Sequence, residues 1–325
     1  MKILVTGAAG FIGFHSSQRL LGNGHEVVGI DNLNDYYDVR LKHARLAILE
    51  GTPDFSFLKL DLADREGMAS LFREHAFDVV LHLGAQAGVR YSLANPFAYI
   101  DSNITGTLTV LEGCRHHGIK HLVYASSSSV YGANTKQPFS VEDRVDSPVS
   151  LYAATKKSDE MMCHAYAHLY RFPITGLRFF TVYGPWGRPD MAYFKFADAI
   201  MAGKPIDIYN NGDMKRDFTY IDDIVDGIEV IVQGEPAAAK DAIPHRVYNL
   251  GNNQPEQLMD MVTLLEAQLG QVARKNFLPM QAGDVYSTFA DIAPASADYG
   301  FHPKTRLRDG MARFSEWHRE FYINA

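Results

Sequence analysis

Short apolar runs rich in β-branched residues alternate along this chain with longer segments whose apolar positions recur at helical spacing. The runs fall at residues 3–5, 27–30, 55–57, 79–81, 121–124, 174–177 and 247–249. Each is short and mostly apolar, so the pattern predicts buried parallel strands. Helical spacing covers 13–23, 39–50, 65–74, 96–117 and 151–170. This alternation of strand and helix predicts an α/β fold, a doubly wound parallel sheet. After about residue 180 the rhythm breaks. Tyr183-Gly-Pro-Trp-Gly-Arg-Pro189 and Asn210-Asn-Gly-Asp213 are strong loop signals. The expected organisation is a dinucleotide-binding domain over 1–180 and a smaller C-terminal α/β substrate lobe over 181–325. The run at 247–250 predicts that the chain crosses back to the main sheet.

Composition narrows the class of protein without naming a chemistry. At 325 residues the chain can bury a core without disulfides or metal. A net charge of −7 argues against nucleic acid or an anionic membrane surface as the main partner. The two cysteines, Cys114 and Cys163, lie in helical segments with no metal spacing, and buried free thiols fit a reducing compartment. The amino-terminal apolar run is too short for a signal peptide, and no stretch approaches the roughly 18 apolar residues of a membrane span. The chain therefore reads as a soluble cytoplasmic protein. His164 and His168 share a helix face without a carboxylate set that suits zinc, so no metal is expected.

The first strand runs into Gly7-Ala-Ala-Gly10-Phe11-Ile12-Gly13, which opens the first helix. Glycines at such a turn let the backbone approach a pyrophosphate, and the helix amino terminus attracts its charge. The second strand ends in Asp31-Asn32, at the distance where a dinucleotide (Rossmann) fold places an acid on the adenine ribose. A carboxylate there accepts from both ribose hydroxyls and repels a 2′-phosphate, which favours NAD over NADP. Asp61 and Leu62 after the third strand are candidates for the adenine, and Leu83, Ala85 and Ala87 after the fourth for the nicotinamide side.

Tyr152 and Lys156 stand four residues apart, so a helix projects both from one face. An ammonium and a positively charged nicotinamide both favour the phenolate, the form able to take a proton from an alcohol. Upstream, Ser126-Ser127-Ser128-Ser129 ends the fifth run. Strand alternation puts Ser127 and Ser129 on one side and Ser126 and Ser128 on the other.

Together these residues resemble the extended short-chain dehydrogenase/reductase family, with Asn103 in Asn-Ile-Thr-Gly-Thr completing the set. The family spacing selects Ser127 as the catalytic serine, with Ser128 as fallback. A narrower likeness, to nucleotide-sugar 4-epimerases acting on UDP-glucuronate, rests on Asp31-Asn-Leu-Asn-Asp-Tyr-Tyr37, Gln86-Ala-Gly-Val-Arg-Tyr91, Ser150-Leu-Tyr-Ala-Ala-Thr-Lys156 and Thr181-Val-Tyr-Gly-Pro-Trp-Gly-Arg-Pro-Asp-Met191. The resemblance implies tightly held NAD, a UDP-sugar substrate, a 4-keto intermediate and a homodimer built on the helices at 96–117 and 151–170. It also implies that Thr181 contacts the sugar diphosphate, Tyr209 the uracil, Arg216 a phosphate and Asp284 the uridine ribose. Related glucose epimerases carry an arginine where this chain has Gln281, and Lys195 is the candidate substitute. For the uronate carboxylate, a guanidinium is the suitable partner, with Arg188 the first candidate and Arg90 the second. Rival readings are a UDP-glucuronate decarboxylase, a UDP-glucose-type 4-epimerase, a 4,6-dehydratase and a nonenzymatic NAD-sensing protein. The dehydratase needs an Asp-Glu pair where this chain has serines, and the sensor has no need of Ser127, Tyr152 and Lys156 together.

Overall fold

The computed structural model describes residues 1–234, 242–281 and 285–322. Its centre is a sheet of seven strands: β1 (Lys2–Thr6), β2 (Glu26–Asp31), β3 (Phe55–Lys59), β4 (Val79–His82), β5 (His121–Ser127), β6 (Ile174–Phe179) and β10 (His245–Leu250). The order is β10-β6-β5-β4-β1-β2-β3, and every pairing is parallel. Ile3, Leu4, Val5, Val80, Leu81, Leu122 and Val123 are wholly buried, which accounts for the apolar runs. The chain winds outward in both directions from β1 and β4. The crevice at that switch point, beyond the carboxyl ends of the strands, is where such sheets hold ligands.

The helices α1 (Phe11–Gly22), α2 (Val39–Glu50) and α3 (Arg65–Glu74) follow β1, β2 and β3. The helix expected over 96–117 runs unbroken between those bounds but widens in its middle. After α4 (Tyr91–Ala94) come α5 (Pro96–Tyr99), a π-helical turn at Ile100–Thr105 and α6 (Gly106–His117). The wider turn carries Asn103 into the interior, where its side chain bonds Gln86 N and O and the Thr155 hydroxyl. α7 (Leu151–Tyr170) begins at Ser150, whose hydroxyl caps Ala153 N at 3.1 Å.

Beyond β6, β7 (Thr181–Tyr183), β9 (Lys215–Tyr220) and β11 (Pro255–Gln257) form a three-stranded sheet, and β8 (Pro205–Ile208) pairs with β12 (Arg274–Phe277). α8 (Ala192–Met201), α10 (Leu258–Leu269) and α12 (Leu307–Tyr322) pack around them, while α9 (Ile221–Gln233) returns to lie against α1. α11 (Ala293–Tyr299) packs on β10. One apolar cluster joins Ile3 and Val5 of the large sheet to Phe194, Phe314 and Trp317.

Asp217 on β9 ties this region to the end of β10. Its buried carboxylate accepts from Asn252 N at 2.5 Å, Ala290 N at 3.0 Å and Asn253 N at 3.1 Å. Burial pushes its carboxyl up to about 6 against the pull of those hydrogen bonds. Asp217→Ala orphans three amides, and we expect a loss of about 3–5 kcal/mol in a urea titration. A midpoint within experimental error of the unaltered protein would show that the tie is energetically idle. Among the described residues no helix is long and apolar enough to cross a membrane, and no group of His, Cys, Asp and Glu suits a metal.

Candidate active site

A cavity of about 780 Å³ opens beyond the carboxyl ends of β1, β2, β4 and β5 and is walled on its far side by the region after β6. Gly7, at φ +69°, makes the turn out of β1, and its amide bonds Ile30 O at 2.8 Å. A Cβ on Gly7 would lie 2.8 Å from the Gly84 backbone, and one on Gly13 only 2.0 Å from Gly7 O. The glycines are therefore required by backbone packing. The amino terminus of α1 has neither a side-chain cap nor an acid in its first turn, so its amides are left for an anion.

Every dinucleotide candidate except Asn103 borders this cavity: Gly7, Gly10, Phe11, Ile12, Gly13, Asp31, Asn32, Asp61, Leu62, Leu83, Ala85, Ala87, Tyr152 and Lys156. Asn103 stands behind the cavity wall. It is wholly buried with its carboxamide spent on Gln86 and Thr155, so it holds the loop after β4 rather than facing the space. Tyr99 assists by donating to Ala87 O at 2.9 Å. Asn32 and Asp61 meet each other at 2.8 Å.

At the end of β5 the strand stops at Ser127, and a 3₁₀ turn follows over Ser128–Tyr131. Alternation therefore ends at Ser127, and Ser127, Ser128 and Ser129 all border the cavity. The Ser127 hydroxyl accepts from Ser129 N at 3.1 Å. Ser126 also borders the cavity, but its hydroxyl is spent on Glu160 Oε1, to which it donates at 2.7 Å. Burial alone would raise the Glu160 carboxyl, but Arg178, bonded to both oxygens at 2.8 and 2.9 Å, holds it below its usual range.

Lys156 donates from Nζ to Ala125 O at 3.0 Å and to Asp159 Oδ2 at 3.1 Å. Tyr152 stands on the cavity wall with its ring edge-on to Tyr99, centroids 6.1 Å apart.

On the opposite wall lie Arg90, Thr181, Arg188, Lys195, Tyr209 and Arg216. Arg188 grips Asp190 through Nε at 3.0 Å and Nη2 at 2.6 Å. Tyr36 donates to the same carboxylate at 3.2 Å. Burial opposes the charge on both partners, yet the pairing drives the Arg188 guanidinium up and the Asp190 carboxyl down. Arg90 lies 4.9 Å over the Tyr209 ring. Arg216 donates to Lys215 O and Tyr286 O. Gln281 is not among the lining residues, and its Oε1 is buried without a partner among the described residues. Asp284 lies outside the described residues.

Three participants were not read from the sequence. Lys42 reaches from α2 to within 3.6 Å of Asp31, with both side chains nearly buried. Asp190 holds Arg188. Arg45, wholly buried on α2, donates to Ala9 O at 2.8 Å, to Trp186 O at 2.6 Å, to Gly187 O at 3.1 Å and to the Tyr37 hydroxyl at 2.9 Å. One guanidinium thus joins the glycine loop to the turn carrying Arg188. Trp186 holds that turn at φ +60° and packs on Phe14, Trp317 and Phe321. Lys42 and Arg45 reach the site by return of the chain through α2, whereas Asp190 lies in the same string as Arg188, where a carboxylate two residues from the guanidinium was the available signal.

Fold and cavity define a Rossmann-type dinucleotide protein, because the glycine cradle excludes side chains where a pyrophosphate fits and Asp31 stands at the end of β2. The pattern of the NAD dependent epimerase/dehydratase family matches residues 3–251, and the chain belongs to that family. It is 50% identical to the probable UDP-glucuronate 4-epimerase of Rhizobium meliloti (strain 1021), over 100% of this chain and 99% of that one. It is 48% identical to UDP-glucuronate 4-epimerase 1 of Arabidopsis thaliana, over 99% of this chain and 77% of the relative. The crystal structure of UDP-glucuronic acid 4-epimerase from Bacillus cereus in complex with UDP-glucuronic acid and NAD matches with a TM-score of 0.91 at 38% identity, covering 99% of this chain and 100% of that one.

Proposed function

We propose that this protein is an NAD-dependent UDP-glucuronate 4-epimerase that interconverts UDP-glucuronate and UDP-galacturonate through a 4-keto sugar. The observation that carries the reading is the meeting of Ser127, Tyr152, Lys156 and Arg188 on one cavity with the glycine cradle. The glycine loop and the start of α1 hold the pyrophosphate, Asp31 the adenine ribose, and Asn32, Asp61 and Leu62 the adenine side. NAD bound there would supply a reversible acceptor for the hydride at C4 of the sugar. Tyr152, as phenolate, removes the proton from the 4-hydroxyl and later gives it back to O4. Ser127 holds O4 by hydrogen bond, and Lys156 keeps a positive charge beside the phenol.

The 4-ketone makes the uronate a β-keto acid, which loses carbon dioxide when its C5–carboxylate bond stands perpendicular to the carbonyl plane. Arg188 holds the carboxylate away from that orientation, with Asp190 and Tyr36 fixing the guanidinium. Ser128 and Thr181 line the sugar, Arg90 stacks on Tyr209 at the uracil end, Arg216 meets a phosphate, and Asp284 holds the uridine ribose. Lys195 stands in for the arginine that Gln281 replaces. The chain works in the cytoplasm as a homodimer. An apolar face supports the dimer, with Phe97 77%, Met161 62% and Leu169 64% exposed on α5 and α7. Light scattering of a Phe97→Glu, Met161→Glu double variant tests it, with a monomer expected.

Purified protein given UDP-glucuronate, without added NAD, tests the reaction. UDP-galacturonate at equilibrium supports the reading, whereas carbon dioxide with UDP-pentose moves the assignment to a decarboxylase.

A further inference from the structure

We infer that Asp159 is a positioning residue of the reaction, holding Lys156 by a buried ion pair and setting how much positive charge Tyr152 feels. The inference rests on the proposed role of Tyr152 as the proton acceptor. Its basis is the way α7 arranges one face. Tyr152, Lys156 and Asp159 follow one another at helical spacing, and the Lys156 and Asp159 side chains are 3% and 1% exposed. An ammonium has three protons to donate. One goes to Ala125 O at 3.0 Å and one to Asp159 Oδ2 at 3.1 Å, which fixes the direction of the third.

The carboxylate draws on Lys156 and on the Thr107 hydroxyl, but Oδ1 makes no well-formed hydrogen bond among the described residues, and a buried polar atom so weakly held calls for a reason. The surrounding groups do not supply a second cation. On β4, His82 is kept neutral by burial and by Lys156, its value lowered to about 3. α6 turns the Thr107 hydroxyl toward the carboxylate and adds Cys114. β5 presents Tyr124, and α7 itself adds Cys163 and Glu160, the latter engaged by Arg178 of β6. Burial consequently pushes the Asp159 carboxyl up to about 6, against the pull of Lys156.

The consequence follows from charge. Above that value the ionised carboxylate offsets the ammonium that Tyr152 faces. As pH falls through it, Asp159 takes up a proton, the offset disappears, and Lys156 acts on the phenol with its full charge. Protonation of Asp159 therefore leaves the Lys156 charge unopposed beside the phenol, in addition to the Arg188 guanidinium that already acts on Tyr152.

The Asp159→Asn variant keeps an oxygen for Lys156 and removes the anion at every pH. We expect the acid limb of its pH–rate profile to steepen and to move about half a unit to one unit lower. Tyrosine labelled with ¹³C at Cζ, followed by NMR in the protein as purified with NAD, should show the Tyr152 phenol titration moving the same way. A uniformly lower rate with an unmoved limb, or a limb displaced to higher pH, overturns the inference and leaves Asp159 a packing residue. Should the unaltered protein prove not to epimerise UDP-glucuronate, the functional reading fails. The NMR titration still decides the Lys156–Asp159 effect in that case, an unmoved phenol titration overturning it.

Discussion

Tyr152→Phe should lower epimerisation by about 10³-fold or more, because it deletes the one oxygen that removes and returns the sugar proton. The variant keeps the ring that packs edge-on against Tyr99. It also leaves Lys156 tied to Ala125 and Asp159. Thermal stability and NAD retention should therefore stay close to those of the unaltered protein, and affinity for UDP-glucuronate should change by no more than about threefold, the loss of one exposed hydrogen bond. Single-turnover assays after quantifying bound cofactor separate these effects. Activity within tenfold of the unaltered enzyme would move the base to another residue.

The second large effect belongs to Arg188→Ala. Loss of charged hydrogen bonds to the uronate should weaken binding by about 10–100-fold, or ~1.5–3 kcal/mol. Carbon dioxide and UDP-pentose should then appear among the products, because nothing pins the carboxylate away from the perpendicular orientation. The single variant does more than remove an attraction. Asp190 is held below its usual range by Arg188 despite burial, so losing the guanidinium releases the carboxyl to the upward push of burial, and whatever fraction stays ionised repels the incoming uronate. Arg188→Ala with Asp190→Asn removes both charges, and the difference in KM between the two variants measures that repulsion. If both retain uronate affinity and release no carbon dioxide, Arg90 becomes the candidate for the carboxylate.

Much of this was legible in the sequence because parallel strands covered on both faces leave a mostly apolar trace. All seven runs occupy positions in the central sheet, including the distant one that becomes β10, although the run at 55–57 forms the edge strand β3, which is half exposed rather than buried. The glycine loop and the Tyr152–Lys156 spacing were readable for a related reason, since both are local. Features depending on interrupted periodicity were not. The π-helical turn at Ile100–Thr105 looks like continuous helix in the spacing, although it turns Asn103 inward. The serine run kept its alternation only to Ser127, where a 3₁₀ turn brings Ser128 and Ser129 to the same cavity. Lys42, Arg45 and Asp190 are ordinary charged residues in the sequence. Arg45 takes its meaning from groups distant in the chain, which only the fold supplies, whereas Asp190 pairs with Arg188 two residues away and was passed over within a string already singled out.

The four bonds made by Arg45 bear on redesign. The turn at 184–191 invites treatment as a specificity cassette, to be exchanged between relatives that handle different sugars. Its backbone, however, is fastened through Trp186 O and Gly187 O to a helix that also holds Ala9 of the glycine loop. A transplanted turn without carbonyls in those places would leave a wholly buried guanidinium with donors unspent and would loosen the cofactor cradle with it. The smallest exchangeable unit is therefore discontinuous, comprising the turn, Arg45 and the aromatic seat of Trp186.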